Sequence, residues 1–84
     1  MKGTRVQHIS ELWGDDGTNG GYCPVTRDGQ RTWIVRTPNG HLGTLGAHDV
    51  VEHEDGTITV SPSILVWDNT GELYHGFLVR GEWT

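Results

Sequence analysis

The chain has 84 residues and a formal net charge of −5, which is the size of one small acidic domain. The charge argues against direct nucleic-acid binding, because such proteins need surplus Lys and Arg to neutralise phosphates. No apolar run approaches the roughly 20 residues that span a bilayer, so we expect no membrane partner. The single cysteine, Cys23, cannot form an internal disulfide, which favours a cytoplasmic location.

Turn signals divide the chain into short segments. Asp-Gly or Asn-Gly pairs begin at five positions, and these residue types tolerate the positive φ of tight hairpin turns. The positions are Asp16, Asn19, Asp28, Asn39 and Asp55. The runs between them are rich in β-branched and aromatic residues, and none has a convincing helical period. The pattern predicts one all-β domain over residues 1–84, a small antiparallel meander forming a sandwich or half-barrel with little or no helix.

The two halves of the chain differ in their apolar pattern. Residues 10–21 contain several glycines and aspartates and no core-like run, so we predict an exposed loop there. Apolar residues come in runs only after residue 45, so we predict that residues 48–80 form the core sheet. Pro62 lacks an N–H for a strand ladder and therefore fits a bulge or a strand start.

Alternation in the later segments predicts which side chains form the core. Along Glu72–Val79, Leu73, His75, Phe77 and Val79 share one face of a strand. The run Ile64–Trp67 is apolar on both faces, which favours a central strand covered on both sides. The predicted core is Ile58, Val60, Leu65, Trp67, Leu73, Phe77 and Val79.

His75 is the main candidate for a binding residue, because it interrupts this predicted apolar face. A buried imidazole needs hydrogen-bond partners, and neighbouring strands would supply them. The sequence therefore predicts a binding patch of His75, Ser61, Ser63, His48, Asp49, Trp33 and Trp83. The alternative is that His75 is a core histidine whose partners satisfy it and that it has no binding role.

Two kinds of catalytic site are weaker alternatives. Asp49 and His53 share a strand face, and His75 from a neighbouring strand would complete three metal ligands. However, no standard metal-ligand spacing occurs, so we predict no bound metal and no cofactor. A pair of His75 with Ser61 or Ser63 would suggest hydrolysis, which also requires an orienting carboxylate and an oxyanion hole.

Parts of the second half resemble a known group of proteins. The segment Asp55-Gly56-Thr57-Ile58-Thr59-Val60-Ser61-Pro62-Ser63-Ile64-Leu65 and the pieces Tyr74-His75-Gly76-Phe77-Leu78 and Gly81-Glu82-Trp83 carry the likeness. They resemble small uncharacterised accessory proteins of actinobacterial phages and prophages. The resemblance implies a phage origin and action in the bacterial cytoplasm, and it transfers no activity to any residue.

These observations favour a non-enzymatic phage accessory protein that binds a host protein or a small ligand in the bacterial cytoplasm. A meander of 84 residues has little room for both a core and a catalytic pocket. The alternatives are a small metal-dependent or hydrolytic enzyme and a structural, oligomeric phage component. We also expect a homodimer or higher oligomer, because a meander leaves two sheet edges open.

Overall fold

The computed structural model describes residues 1–84. It contains ten short strands and one 3₁₀ helix, Ile9–Leu12. The strands are β1 (Thr4–Arg5), β2 (Gly21–Arg27), β3 (Gln30–Arg36), β4 (Leu42–Thr44), β5 (Asp49–Glu52), β6 (Ile58–Ser61), β7 (Ile64–Asp68), β8 (Gly71–Gly76), β9 (Leu78–Val79) and β10 (Glu82–Trp83). Strands make up 51% of the chain and helix 5%, which confirms the all-β prediction. The structure has no helix that is long and apolar enough to cross a bilayer.

The largest sheet lies in the first half of the chain, in the order β1-β2-β3-β4. Strands β2 and β3 form a hairpin whose two turn residues, Asp28 and Gly29, have φ values of 51° and 77°. Two positive φ values match the twist of the flanking strands, which explains why Asp-Gly marks this turn. β1 joins β2 in parallel, and β4 pairs antiparallel with the second half of β3.

Hydrogen bonds extend this sheet through the C-terminal strands. Lys2 forms an antiparallel bridge with Glu82, which joins the start of the chain to β10, and β10 pairs with β9. The Gly81 N–H between β9 and β10 then donates to the Ile58 carbonyl of β6 at 3.0 Å. β6 pairs in turn with β5. The strands follow the order β4-β3-β2-β1-β10-β9-β6-β5, an incomplete barrel that is open between β5 and the first half of β3.

The main core draws on both halves of the chain. Its nine buried residues are Tyr22, Trp33, Val35, Leu45, Ile58, Val60, Ile64, Leu78 and Trp83. Trp83 also donates its indole N–H to the buried Gly20 carbonyl at 2.8 Å, which ties the C-terminus to the first sheet. The prediction that residues 48–80 form the core sheet is therefore wrong: they form the separate hairpins β5–β6 and β7–β8 together with β9, and these share a core with β2 and β3.

Residues 10–21 are only partly the exposed loop that the sequence predicts. Leu12, at the end of the 3₁₀ helix, is fully buried in a small second cluster with Val6 and Cys23. The Arg36 guanidinium donates to the carbonyls of Leu12 and Gly14 at 2.9 and 2.6 Å, which holds the segment against β3. The longest run of consecutive exposed residues in this segment is 13–16. Leu12 and the Arg36 side chain therefore hold part of this glycine-rich segment against the sheet.

The structure reverses the predicted core face of residues 64–79. Leu65, Trp67, Phe77 and Val79 are exposed by 47%, 69%, 52% and 49%, and Leu73 is half-buried. The opposite row faces the core, and its buried members are Ile64, Gly76 and Leu78. At Gly76 a Cβ would collide with the Tyr74 hydroxyl and the Thr84 carbonyl, so a glycine lies where an apolar side chain would have revealed the buried row. Of the predicted core, Ile58 and Val60 are confirmed.

Candidate functional site

His75 lies on the outer face of β8 and is half exposed. Its Nε2 is 2.8 Å from the Ser63 hydroxyl, and its Nδ1 is 3.7 Å from a carboxylate oxygen of Glu72. Ser63 follows Pro62 immediately before β7, and the β7–β8 register, with Leu65 opposite His75, places Ser63 diagonally across from His75. The alternative of a buried core histidine is therefore wrong, because the ring is accessible to solvent.

A second histidine contacts the same serine from the other side. The Nε2 of His48 lies 3.0 Å from the Ser63 carbonyl oxygen. A carbonyl can only accept, so Nε2 must carry the proton in this contact. The Nδ1 of His48 is buried and has no hydrogen-bond partner. In the neutral ring this nitrogen is an unmatched acceptor, which marks the site as incompletely satisfied.

The other predicted site residues lie elsewhere. Asp49 and Ser61 are paired across the β5–β6 hairpin, and both are exposed. Trp83 is buried beneath Tyr74, with ring centroids 5.7 Å apart in an edge-on arrangement. Trp33 is buried beside Tyr22. The structure thus brings together His75, Ser63 and His48. The two tryptophans belong to the core and do not line an exposed patch.

The three proposed metal ligands do not converge. His53 contacts the Thr59 hydroxyl at 2.7 Å, and His75 contacts Ser63. No group of three His, Cys, Asp or Glu side chains is placed to hold a metal ion. Cys23 is buried, and burial raises the pKa of its thiol, which keeps it protonated and unreactive.

Several exposed apolar side chains share the solvent-facing side of residues 64–79 with His75. We call Leu65, Trp67, Phe77 and Val79 the outer apolar face. Leu65 lies directly opposite His75 in the β7–β8 register. Carboxylates border this face: Glu72 lies opposite Trp67, and Glu82 lies opposite Val79. Sequence alternation groups most of these residues correctly on one face, but it assigns that face to the core.

The second surface feature is a groove at the open seam of the barrel. We call it the β3–β5 groove; it has a volume of about 860 Å³. Its apolar lining comes from both sides of the seam: Ile9, Val25, Trp33, Ile34, Leu45 and Val50. His48 and Asp49 lie at one end. The groove was not predicted, because no local sequence signal reports that two distant strands fail to pair.

Charge in the groove centres on Glu52. Its carboxylate contacts the guanidinium groups of Arg5 at 2.6 Å and Arg31 at 2.9 Å. The hydrogen bond from Arg5 is the main reason that the pKa of the Glu52 carboxyl lies below its ordinary value. Both guanidinium carbons also lie close to the Trp33 ring, at 5.2 and 5.3 Å from its centroid. This cluster fixes one end of the groove.

Comparisons of the chain with protein-family models, curated proteins and solved structures found no match. The resemblance to phage accessory proteins therefore stays a prediction from the quoted residues.

Proposed function

We propose that the protein is a non-enzymatic binding protein that engages a partner protein through the outer apolar face around His75. The observation that supports this is the exposure of four large apolar side chains, between 47% and 69%, on one side of an 84-residue chain. Large apolar side chains that remain exposed together on one side of a small protein are typical of an interaction site. Aromatic side chains such as Trp67 and Phe77 are also the types that contribute most to interfaces.

The border of the face favours a basic partner. Glu72 and Glu82 lie directly beside its apolar residues, and Asp68 follows Trp67 at the end of β7. With a net charge of −5, the chain attracts a positively charged surface over long range. A second copy would instead bring like charges together. The resemblance to phage accessory proteins supports a basic host protein of the bacterial cytoplasm as this partner.

Paired surface variants test the proposal. Wild-type protein and a Trp67→Ser/Phe77→Ser variant are used to capture proteins from an actinobacterial lysate at low and high salt. The control is Val51→Ser, because Val51 is also an exposed apolar side chain but lies on β5, away from this face. We expect a basic protein that wild type and the control retain, that the double variant loses, and that salt releases. Equal capture by all three proteins contradicts the proposal.

His75 provides a second arm of the same test. Because its ring is half exposed, His75→Ala should leave the melting temperature within a few degrees of wild type while weakening capture. A large drop in melting temperature would instead assign His75 a structural role through Ser63.

The sequence also predicts self-association, and a second copy of the chain would then cover the outer apolar face. Sedimentation equilibrium of wild type and the double variant separates it from partner binding. A dimer that Trp67→Ser/Phe77→Ser dissociates would replace the basic partner by a second copy, whereas a monomer in both proteins leaves the face free for a partner.

One observation favours a second function, ester hydrolysis at Ser63. The order of Ser63, His75 and Glu72 resembles a nucleophile, a base and an orienting carboxylate, although the 3.7 Å contact is longer than a hydrogen bond. In this reaction the Ser63 oxygen bonds to the ester carbonyl carbon and its proton passes to His75 Nε2. The ester C–O bond then breaks, and His75 gives that proton to the leaving oxygen, which departs as the alcohol. Water then hydrolyses the acyl-serine.

An activated ester tests this second function. With p-nitrophenyl acetate, we expect p-nitrophenolate release and an acetyl adduct on Ser63 in wild type, and neither in Ser63→Ala. Ser61→Ala is the matched control, because Ser61 is an exposed serine without a histidine contact. Equal rates in all three proteins exclude the reaction.

A further inference from the structure

The β3–β5 groove exposes unpaired backbone on its β3 side. Arg27 and Gln30 close the two-residue turn of the β2–β3 hairpin, so they are a hydrogen-bonded pair. Hydrogen-bonded and non-hydrogen-bonded pairs alternate along antiparallel strands. The backbone groups of Arg31 and Trp33 therefore point away from β2. The Leu45 N–H donates to the Trp33 carbonyl at 3.0 Å, which shows that this carbonyl does point away from β2.

The β5 side is open in the same way. The His53 N–H donates to the Thr57 carbonyl at 2.8 Å, which identifies a hydrogen-bonded pair at the end of the β5–β6 hairpin. Counting back by alternation, the backbone groups of Val50 and Glu52 point away from β6. β5 has no other strand neighbour. The outward groups that remain free are the N–H and C=O of Arg31, Val50 and Glu52 and the N–H of Trp33, because the Trp33 carbonyl already accepts from Leu45.

The two walls run in opposite directions. At one end, Arg31 and Glu52 join them through their 2.9 Å salt bridge. At the other end, residues 45–48 turn back from Trp33 toward Asp49, with the His48 N–H donating to the Leu45 carbonyl at 3.0 Å. A strand between the walls would be antiparallel to one of them and parallel to the other. Successive residues of this added strand would form backbone hydrogen bonds alternately to β3 and to β5.

We infer that the β3–β5 groove binds an extended segment of another polypeptide, which adds as a strand between β3 and β5 and closes the barrel. Exposed strand edges bind peptides in this way, with affinity from backbone hydrogen bonds and specificity from alternate side chains. This inference is independent of the outer apolar face, since the two surfaces share no residue. It also explains why a small β domain keeps two strand edges facing one another without pairing.

The lining specifies the side chains of the segment. One row of the added strand faces Trp33, Leu45 and Val50, which are apolar. The other row faces the opposite side of β3, where Thr32 and Ile34 lie. Side chains at alternate positions therefore contact different surfaces. A segment with valine or isoleucine on one row and threonine on the other satisfies both.

The charges at the ends set its direction. Arg5 and Arg31 share the single carboxylate of Glu52, which leaves that end with a net positive charge. Asp49, at the other end, makes no salt bridge. A segment with a basic amino-terminal end beside Asp49 and an acidic carboxyl-terminal end beside Arg31 therefore matches the groove, and it runs antiparallel to β3.

A synthetic heptapeptide tests the inference directly. The probe is Lys-Val-Thr-Val-Thr-Val-Glu, and the controls are the charge-reversed peptide Glu-Val-Thr-Val-Thr-Val-Lys and the probe with its central valine N-methylated. In NMR titrations we expect the probe to shift the amides of Arg31, Trp33, Val50 and Glu52 and to slow their hydrogen exchange. N-methylation should weaken binding about tenfold, which corresponds to one net hydrogen bond of about 1.4 kcal/mol. Charge reversal should also weaken it.

Variants of β3 separate the backbone from the side chain. Arg31→Ala removes the guanidinium but keeps the N–H that points into the groove, whereas Arg31→Pro removes both. We expect Arg31→Pro to bind the probe about tenfold more weakly than Arg31→Ala. Pro24 already occupies the equivalent non-hydrogen-bonded position of β2, opposite Trp33, so this sheet accommodates proline there. Melting curves check that both variants fold, and the N-methylated peptide tests backbone hydrogen bonding from the peptide's own N–H if either does not.

Three results would overturn the inference. They are equal binding of the probe and its N-methylated form, amide shifts confined to residues outside β3 and β5, and no binding of the probe at millimolar concentration. Trp67→Ser serves as the control on the other surface and should bind the probe as wild type does.

Discussion

Side chains of residues 64–79 alternate between a row that faces the core and a row that faces solvent. The two rows have similar apolar content but opposite environments. Ile64 and Leu78 are buried in the main core, whereas Trp67 and Phe77 are more than half exposed. The chain supplies more large apolar side chains here than its core can enclose. The row that reaches the interior is the one that contains Tyr74 and Gly76. There the backbone closely approaches Thr84, and the Tyr74 ring packs against Trp83. Apolar character alone therefore does not distinguish a core face from an interface.

The largest effect is expected where the two rows are compared directly. Leu78→Ala should destabilise the fold by about 2–5 kcal/mol, since it leaves a cavity in the main core. For a domain of this size that is close to the whole free energy of unfolding. Phe77→Ala, one residue away, should change it by less than about 1 kcal/mol. Urea denaturation of both variants gives the two values, and the reverse order would mean that the rows are assigned wrongly.

Two tryptophans extend the comparison to a hydrogen bond. Trp83→Phe removes the indole N–H that binds the buried Gly20 carbonyl, so we expect a loss of about 1–3 kcal/mol. Trp67→Phe changes an exposed ring and should stay within about 0.5 kcal/mol of wild type. Thermal melting measures both. Equal effects would show that the C-terminal strand does not depend on this bond.

The smallest effect concerns pH at the turn of the β7–β8 hairpin. Hydrogen bonds from the Thr70 hydroxyl and N–H lower the pKa of the Asp68 carboxyl. The group therefore stabilises the fold above its unfolded pKa of about 4, and this stabilisation is lost as the pH falls through the lower folded value.

The Asp68 prediction is tested by substitution. Between pH 6 and pH 2, Asp68→Asn should have a shallower dependence of melting temperature on pH than wild type. Asp15→Asn, at an exposed aspartate in the 13–16 loop, is the control. Identical slopes in all three proteins would show that this turn does not contribute to acid sensitivity.

Part of the candidate site follows from the sequence. Placing His75, Ser63 and His48 near one another needs only strand alternation and the interruption of the strand at Pro62. In the structure both histidines contact Ser63. Asp49, Trp33 and Trp83 do not join them. Whether a tryptophan packs inward depends on strands that are distant in sequence, and in both cases the contacting ring belongs to another strand.

The sequence by itself determined the all-β class and the turn at Asp28-Gly29, because turn chemistry and β-branched runs act through neighbouring residues. Only the tertiary structure decided which face of residues 64–79 is buried, how the N-terminal sheet shares the core, and where the barrel stays open. These features depend on contacts between strands far apart in the chain, such as β6 with β9 and β10 with the first residues. Alternation reports that a strand has two faces, whereas the packing of the remaining strands determines which face is covered.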